Sequence, residues 1–266
     1  MRFLRILSIF SLILLTACST LSEDETEGWT VEQFYQTAKD ALDDGDYATA
    51  IDYFTKLEAR YPYGRYAQQA QLETIYAHYK DNEPASAVAA ADRFIKLHPR
   101  HPNVDYAYYL RGLATFEQGE GALEKIFPKD RAQRDPASLR ESFNYFKELV
   151  SRFPNSRYTP DAVKRMTELR NTLARHELLV ADYYLRRGSY LAAVNRAKYV
   201  LENYQRSLAI PDALVLLVKG YRLMGLDDLA TDSLRVLEMN YPEHPALVEL
   251  KTGKTPAEGN AEQQEP

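Results

Sequence analysis

Arg60-Tyr61-Pro62-Tyr63-Gly64-Arg65-Tyr66 is a dense run of side chains that could do chemistry. A guanidinium presents a planar fork of donors to carboxylate or phosphate. A phenol adds a flat face and a hydroxyl that both donates and accepts. Four uses fit the run: a nucleic-acid surface, a phosphate clamp, a peptide-binding patch, or a turn between two helices punctuated by Pro62 and Gly64. Fragments that look enzyme-like elsewhere fall short. Gly253-Lys254-Thr255 ends like a phosphate loop, but Val248 stands where its first glycine belongs. His98 and His101 are close together, yet Pro99 and Pro102 mark a turn, and no nearby pair of acidic or thiolate ligands completes a zinc site. His78, His176 and His244 are scattered, while Asp43-Asp44 and Asp227-Asp228 stand beside turns, where solvated acids are expected.

The elements that position these residues read as helices throughout. Apolar residues recur at three and four, and no run alternates as a strand would. Five segments repeat one pattern, with a small residue twelve positions before the segment's end: Ala50/Pro62, Ala87/Pro99, Ser142/Pro154, Ala193/Gln205 and Ala230/Pro242. Small residues let paired helices approach, with Ala38, Gly112 and Ala181 matching on the first helices. Phe54, Leu57, Phe146, Leu149, Leu234 and Leu237 are expected to fill the layer between repeats, and the prolines forbid continuation. The expected fold is all-α: a solenoid of five helix-turn-helix repeats, similar to tetratricopeptide repeats, over 31–247, with N-terminal repeats to about 153 and C-terminal repeats from 154. Gln205 departs from the proline pattern, so the fourth repeat is expected to end less sharply. Extra length falls at Gly119–Asp135 and in a long first helix around Asp161–Tyr184.

Outside the repeats, Arg2 and Arg5 precede an apolar run from Ile6 to Leu15, too short to span a bilayer and typical of a secretory leader. It ends in Leu15-Thr16-Ala17-Cys18, which resembles the lipobox of bacterial lipoproteins, and Cys18 is the chain's single cysteine. Residues 1–17 are therefore expected to be removed and Cys18 to carry covalent lipid, with 18–30 as an acidic tether and 248–266 as a polar, disordered tail. No other cofactor is expected. With 33 Lys+Arg against 38 Asp+Glu the net charge is −5, and losing Arg2 and Arg5 makes it more negative. That balance argues against nucleic acid as a partner.

Tyrosine accounts for 20 residues, many on first helices. Groove-facing positions of the first three repeats would include Tyr35, Leu72, Tyr76, Tyr79, Tyr106, Tyr109 and Phe116. Such a surface suits an extended peptide, with ring faces for side chains and hydroxyls for the backbone. The alternative is that about half of them are ordinary packing residues between helices.

The stretch 60–80, together with 101–113, 130–136, 153–166 and 186–197, resembles the BamD family, lipoprotein subunits of the outer-membrane β-barrel assembly machinery. The resemblance runs in order over about Val31–Pro245. It implies a non-enzymatic scaffold on the periplasmic face of the outer membrane, where Ser19 after the cysteine also points. The implied partners are the periplasmic domains of BamA, BamC and the other lipoproteins, and unfolded outer-membrane proteins. Tyr63, Arg65 and Tyr66 would belong to the substrate end, and Arg196 to the BamA-coupled half. A substrate strand ending in an aromatic and a free carboxylate would suit a tyrosine groove beside Arg65. Two other readings are a lipoprotein adaptor recruiting peptidoglycan enzymes and an enzyme whose site lies in the Gly119–Asp135 insertion.

Overall fold

The computed structural model describes residues 26–118 and 130–252. Cys18 and the leader, most of the Gly119–Asp135 insertion and Gly253-Lys254-Thr255 lie outside the described residues. Among the described residues every regular element is a helix. They are α1 (Val31–Asp43), α2 (Tyr47–Arg60), α3 (Arg65–Lys80), α4 (Pro84–Leu97), α5 (Val104–Phe116), a 3-10 turn (Arg131–Gln133), α6 (Pro136–Arg152), α7 (Thr159–Arg186), α8 (Tyr190–Asn203), α9 (Ile210–Leu223), α10 (Asp227–Asn240) and α11 (Ala246–Thr252). Two compact units divide within α3, between Thr74 and Ile75. None of these helices is long and apolar enough to cross a membrane.

One turn closes four of the five helix pairs. Gly45, Gly188 and Gly225 have φ of +82°, +75° and +70°, and Asn82 takes φ 60°. In each turn the following amide donates to a carbonyl five residues back: Asp46 to Ala41, Glu83 to His78, Ser189 to Tyr184 and Leu226 to Tyr221. This left-handed cap satisfies helix-end carbonyls and reverses the chain in a few residues; glycine reaches it without steric cost, and asparagine tolerates it.

Second helices end by a different device. Tyr61, His98, Phe153 and Tyr241 each precede proline and leave the helix at φ between −128° and −138°. A residue before proline is pushed out of the α region. Tyr204 does the same at φ −125° although Gln205 follows it, and its amide donates to Val200 as its counterparts do. The fourth repeat therefore ends as sharply as the others. The cap conformation is satisfied by its own hydrogen bond, and proline only reinforces it.

The small residues lie where the helices touch. Ala38, Ala50, Ala87, Ser142, Ala181 and Ala193 are fully buried. A Cβ on Gly112 would stand 2.6 Å from Cε1 of Phe146, and Ser142 Oγ donates to the Gly112 carbonyl at 3.1 Å.

Two expected boundaries shift. Thr26 is buried, Arg60 donates to its carbonyl, the Trp29 ring stacks on Tyr53 at 5.6 Å, and Tyr61 donates to the Trp29 carbonyl at 2.7 Å. Residues 26–29 thus dock on the first unit and are not tether. At the other end α11 runs past 247 to Thr252. Leu247 and Leu250, three apart on one helix face, join Leu214, Val215, Val218 and Leu237 in one core cluster.

Candidate functional site

In the first unit, Tyr35 and Tyr66 bring their rings to 5.3 Å, with Phe54 at 5.9 Å from Tyr35. Burial above all, and then the charge of Glu73, pushes the Tyr35 phenol up to about 12. The Arg65 guanidinium lies 5.7 Å from the Tyr66 ring centre. Tyr63 sits in the loop between α2 and α3 and is 90% exposed, followed by Gly64 at φ +101°. The residues just before this loop, Arg60 and Tyr61, are the ones hydrogen-bonded to Thr26 and Trp29. An exposed aromatic is thereby carried on a loop whose entry is pinned.

In the second unit Tyr79 and Tyr109 are engaged on both ring and hydroxyl. Tyr106 and Tyr109 both stack on Tyr158, at 5.3 and 4.7 Å. Tyr109 donates to Asp161 at 2.7 Å, and Tyr79 donates to Glu117 at 2.9 Å. Arg165 links the two carboxylates: its Nε is 2.6 Å from Asp161 and a terminal nitrogen is 4.0 Å from Glu117. Tyr76 lies 6.4 Å from Tyr79. Burial and the neighbouring carboxylates hold the Tyr79 and Tyr109 phenols above their usual range, Tyr109 at about 12. At Asp161 burial opposes ionisation, but the hydrogen bonds from Tyr109 and Arg165 outweigh it and lower its pKa. Phe116 is buried, with Arg131 at 4.4 Å and Arg165 at 4.9 Å from its ring. Because the hydroxyl protons of Tyr79 and Tyr109 are given to carboxylates, these groups present lone pairs, not donors, to a ligand.

Two residues expected to face a groove do not. Leu72 is 1% exposed and Phe116 is 6% exposed, so both belong to the packing between helices. Helical spacing alone does not say which face is inward when neighbouring elements cover both sides.

Arg196 lies in an ionic cluster of its own. It donates to Glu177 at 2.8 Å, and Arg140 donates to the other oxygen of the same carboxylate at 3.2 Å. The Glu177 side chain is only 2% exposed, whereas the arginine side chains are 46% and 48% exposed. Sequence reasoning missed Glu117, Tyr158, Asp161, Arg165 and Glu177. Tyr158, Asp161 and Arg165 fall in the motif 153–166, and their i, i+3 and i+7 spacing was the available signal for one helix face.

Successive helical hairpins, with small buried residues where the paired helices meet, define a helical-repeat scaffold. A family described as "YfiO: Outer membrane lipoprotein" matches residues 28–237. The chain belongs to this family of outer-membrane lipoproteins. Among its relatives, the outer membrane protein assembly factor BamD of Neisseria meningitidis is 44% identical over 238 residues, covering 88% of this chain and 89% of its own. The protein of the same name from Xylella fastidiosa is 41% identical, covering 92% of this chain and 84% of its own. That of Vibrio cholerae is 36% identical over 90% of this chain and 99% of its own. A solved tetratricopeptide repeat protein from Parabacteroides merdae is 14% identical, with a TM-score of 0.35 over 83% of this chain and 70% of its own.

Proposed function

We propose that this chain is a non-enzymatic assembly factor for outer-membrane proteins. It is a lipid-anchored scaffold that holds BamA by its periplasmic domains, sits beside BamC and the other lipoproteins, and helps receive unfolded barrel proteins. The observation that carries this reading is the extent of the match. Relatives named as assembly factors align over 81–99% of their own length, so the likeness is to a whole protein and not to one shared repeat.

The anchor is Cys18, where each buried CH₂ of an acyl chain contributes about 0.8 kcal/mol, enough for several chains to hold the protein on the membrane. The substrate end is the Tyr63–Tyr66 segment together with Tyr35. In the second unit Tyr76, Tyr79, Tyr106 and Tyr109 form a further aromatic surface, where the Tyr79 and Tyr109 oxygens would accept hydrogen bonds from the backbone amides of an extended strand. Arg196 belongs to the BamA-coupled half.

Affinity purification of the tagged chain from detergent-solubilised outer membranes tests the proposal. BamA dominating the eluate is the expected result; peptidoglycan enzymes without BamA would replace it with the adaptor reading. Labelled palmitate should be incorporated by the chain and lost with Cys18→Ser. At the substrate end, Arg65→Glu should reduce crosslinking to a targeting peptide, and unchanged crosslinking would remove Arg65 from that role.

A further inference from the structure

A buried carboxylate is costly unless paired and hydrogen-bonded. Glu177, on α7, meets that condition with one arginine from α6 and one from α8: Arg140 and Arg196, 37 and 19 residues away. One repeat earlier a buried charge of the opposite sign is held in a comparable way, though at a different position of the repeat and with the near and far partners in the opposite order. Arg111 on α5 is 7% exposed and donates to Asp92 on α4 at 2.5 Å and to Glu148 on α6 at 2.6 Å, partners 19 and 37 residues away. Each time a first helix buries one charge between the two flanking second helices, whose oppositely charged side chains reach solvent.

We infer that Glu177 is a positioning residue for the C-terminal docking half, fixing where the Arg196 guanidinium stands on the surface of α8. This rests on the proposed role of that half in partner capture. Glu177 itself is too buried to touch a partner. An unanchored arginine samples many rotamers, and ordering it when a partner binds costs conformational entropy. The 2.8 Å bond from Arg196 removes most of that freedom in advance, while nearly half of the side chain stays accessible. The longer bond from Arg140 reaches the other carboxylate oxygen, so its loss leaves the Arg196 anchor in place.

The experiment measures dissociation of BamA from the full-length lipidated chain in detergent for Glu177→Gln, Arg196→Gln, Arg140→Gln and the Glu177→Gln/Arg196→Gln double variant. Melting temperatures are recorded alongside. Glu177→Gln and Arg196→Gln should each speed dissociation roughly tenfold, and the double variant no more than either alone. Arg140→Gln should lower the melting temperature but stay within about twofold of the parent in dissociation. Unchanged dissociation for Glu177→Gln would overturn the inference. So would dissociation that tracks melting temperature across all variants, which would make Glu177 a general stabiliser. If the unsubstituted chain captures no BamA, the proposed function fails instead, and the two failures are told apart.

Discussion

Tyr63 in the first unit and Tyr109 in the second stand in opposite surroundings. In the first, Tyr63 stands in a loop at 90% exposure, and Arg65 lies over the ring of its neighbour Tyr66. In the second, Tyr109 is mid-helix with Tyr158 stacked on it, Phe146 beside it and its proton given to Asp161. The difference lies in how many elements surround the residue and not in the residue itself. A loop aromatic keeps its surface in solvent, whereas a first-helix aromatic flanked by α6 and α7 contributes much of its surface to holding the repeats together.

Substitutions at the base of the second cluster should break this contrast most strongly. Phe146 is fully buried beneath Tyr109 and Phe116, 6.2 and 6.3 Å from their rings. Phe146→Ala should cost about 3–5 kcal/mol in urea unfolding, the usual range for emptying a buried aromatic site. Gly112→Ala comes next. Its new Cβ would fall within 2.6–3.0 Å of three atoms of the same ring, and overpacking of this kind costs about 1–3 kcal/mol.

Tyr109→Phe tests the hydroxyl alone. It should cost about 1 kcal/mol, because the partly exposed Asp161 can recover a bond from water. Ultraviolet titration should then lose one tyrosine that ionises at about 12. The sign follows from linkage. A phenol held above the ordinary value of 10.0 keeps its proton in the fold after the unfolded chain has lost it. The stabilisation is therefore complete below pH 10 and is lost as the pH climbs towards 12. The smallest effect is expected at Tyr63, where Tyr63→Ala should change stability by less than about 0.5 kcal/mol. Its consequence should appear instead in crosslinking to substrate peptides. If Tyr63→Ala destabilised the fold as much as Tyr109→Phe, the contrast between the units would collapse.

The helices were legible in the sequence because their punctuation is local. Pro62, Pro99, Pro154 and Pro242 follow the residues that end second helices, and Gly45, Gly188 and Gly225 supply the left-handed caps. Where punctuation is imperfect the sequence misleads: Gln205 hides a normal helix end, and no local signal separates the docked Thr26–Trp29 segment from the tether or residues 248–252 of α11 from the tail. The aromatic cluster was half legible. Tyr76, Tyr79, Tyr106 and Tyr109 were found by type and helix register, but Leu72 and Phe116 share that register and are buried. Glu117, Asp161 and Arg165 were not singled out, because an isolated charge on a helix resembles any solvated one until its partner from another helix is known.

Sequence alone determined the all-helical repeat, its five small-residue contacts and the resemblance to an outer-membrane lipoprotein family, since propensity, spacing and turn chemistry act within a few residues along the chain. Tertiary structure decided that the Tyr79 and Tyr109 hydroxyls bond to carboxylates from other helices, and that Arg196 is held by a buried Glu177 shared with Arg140. Those outcomes depend on distances between residues 19 to 52 positions apart. Burial and charge pairing at that separation are set by how successive helices stack.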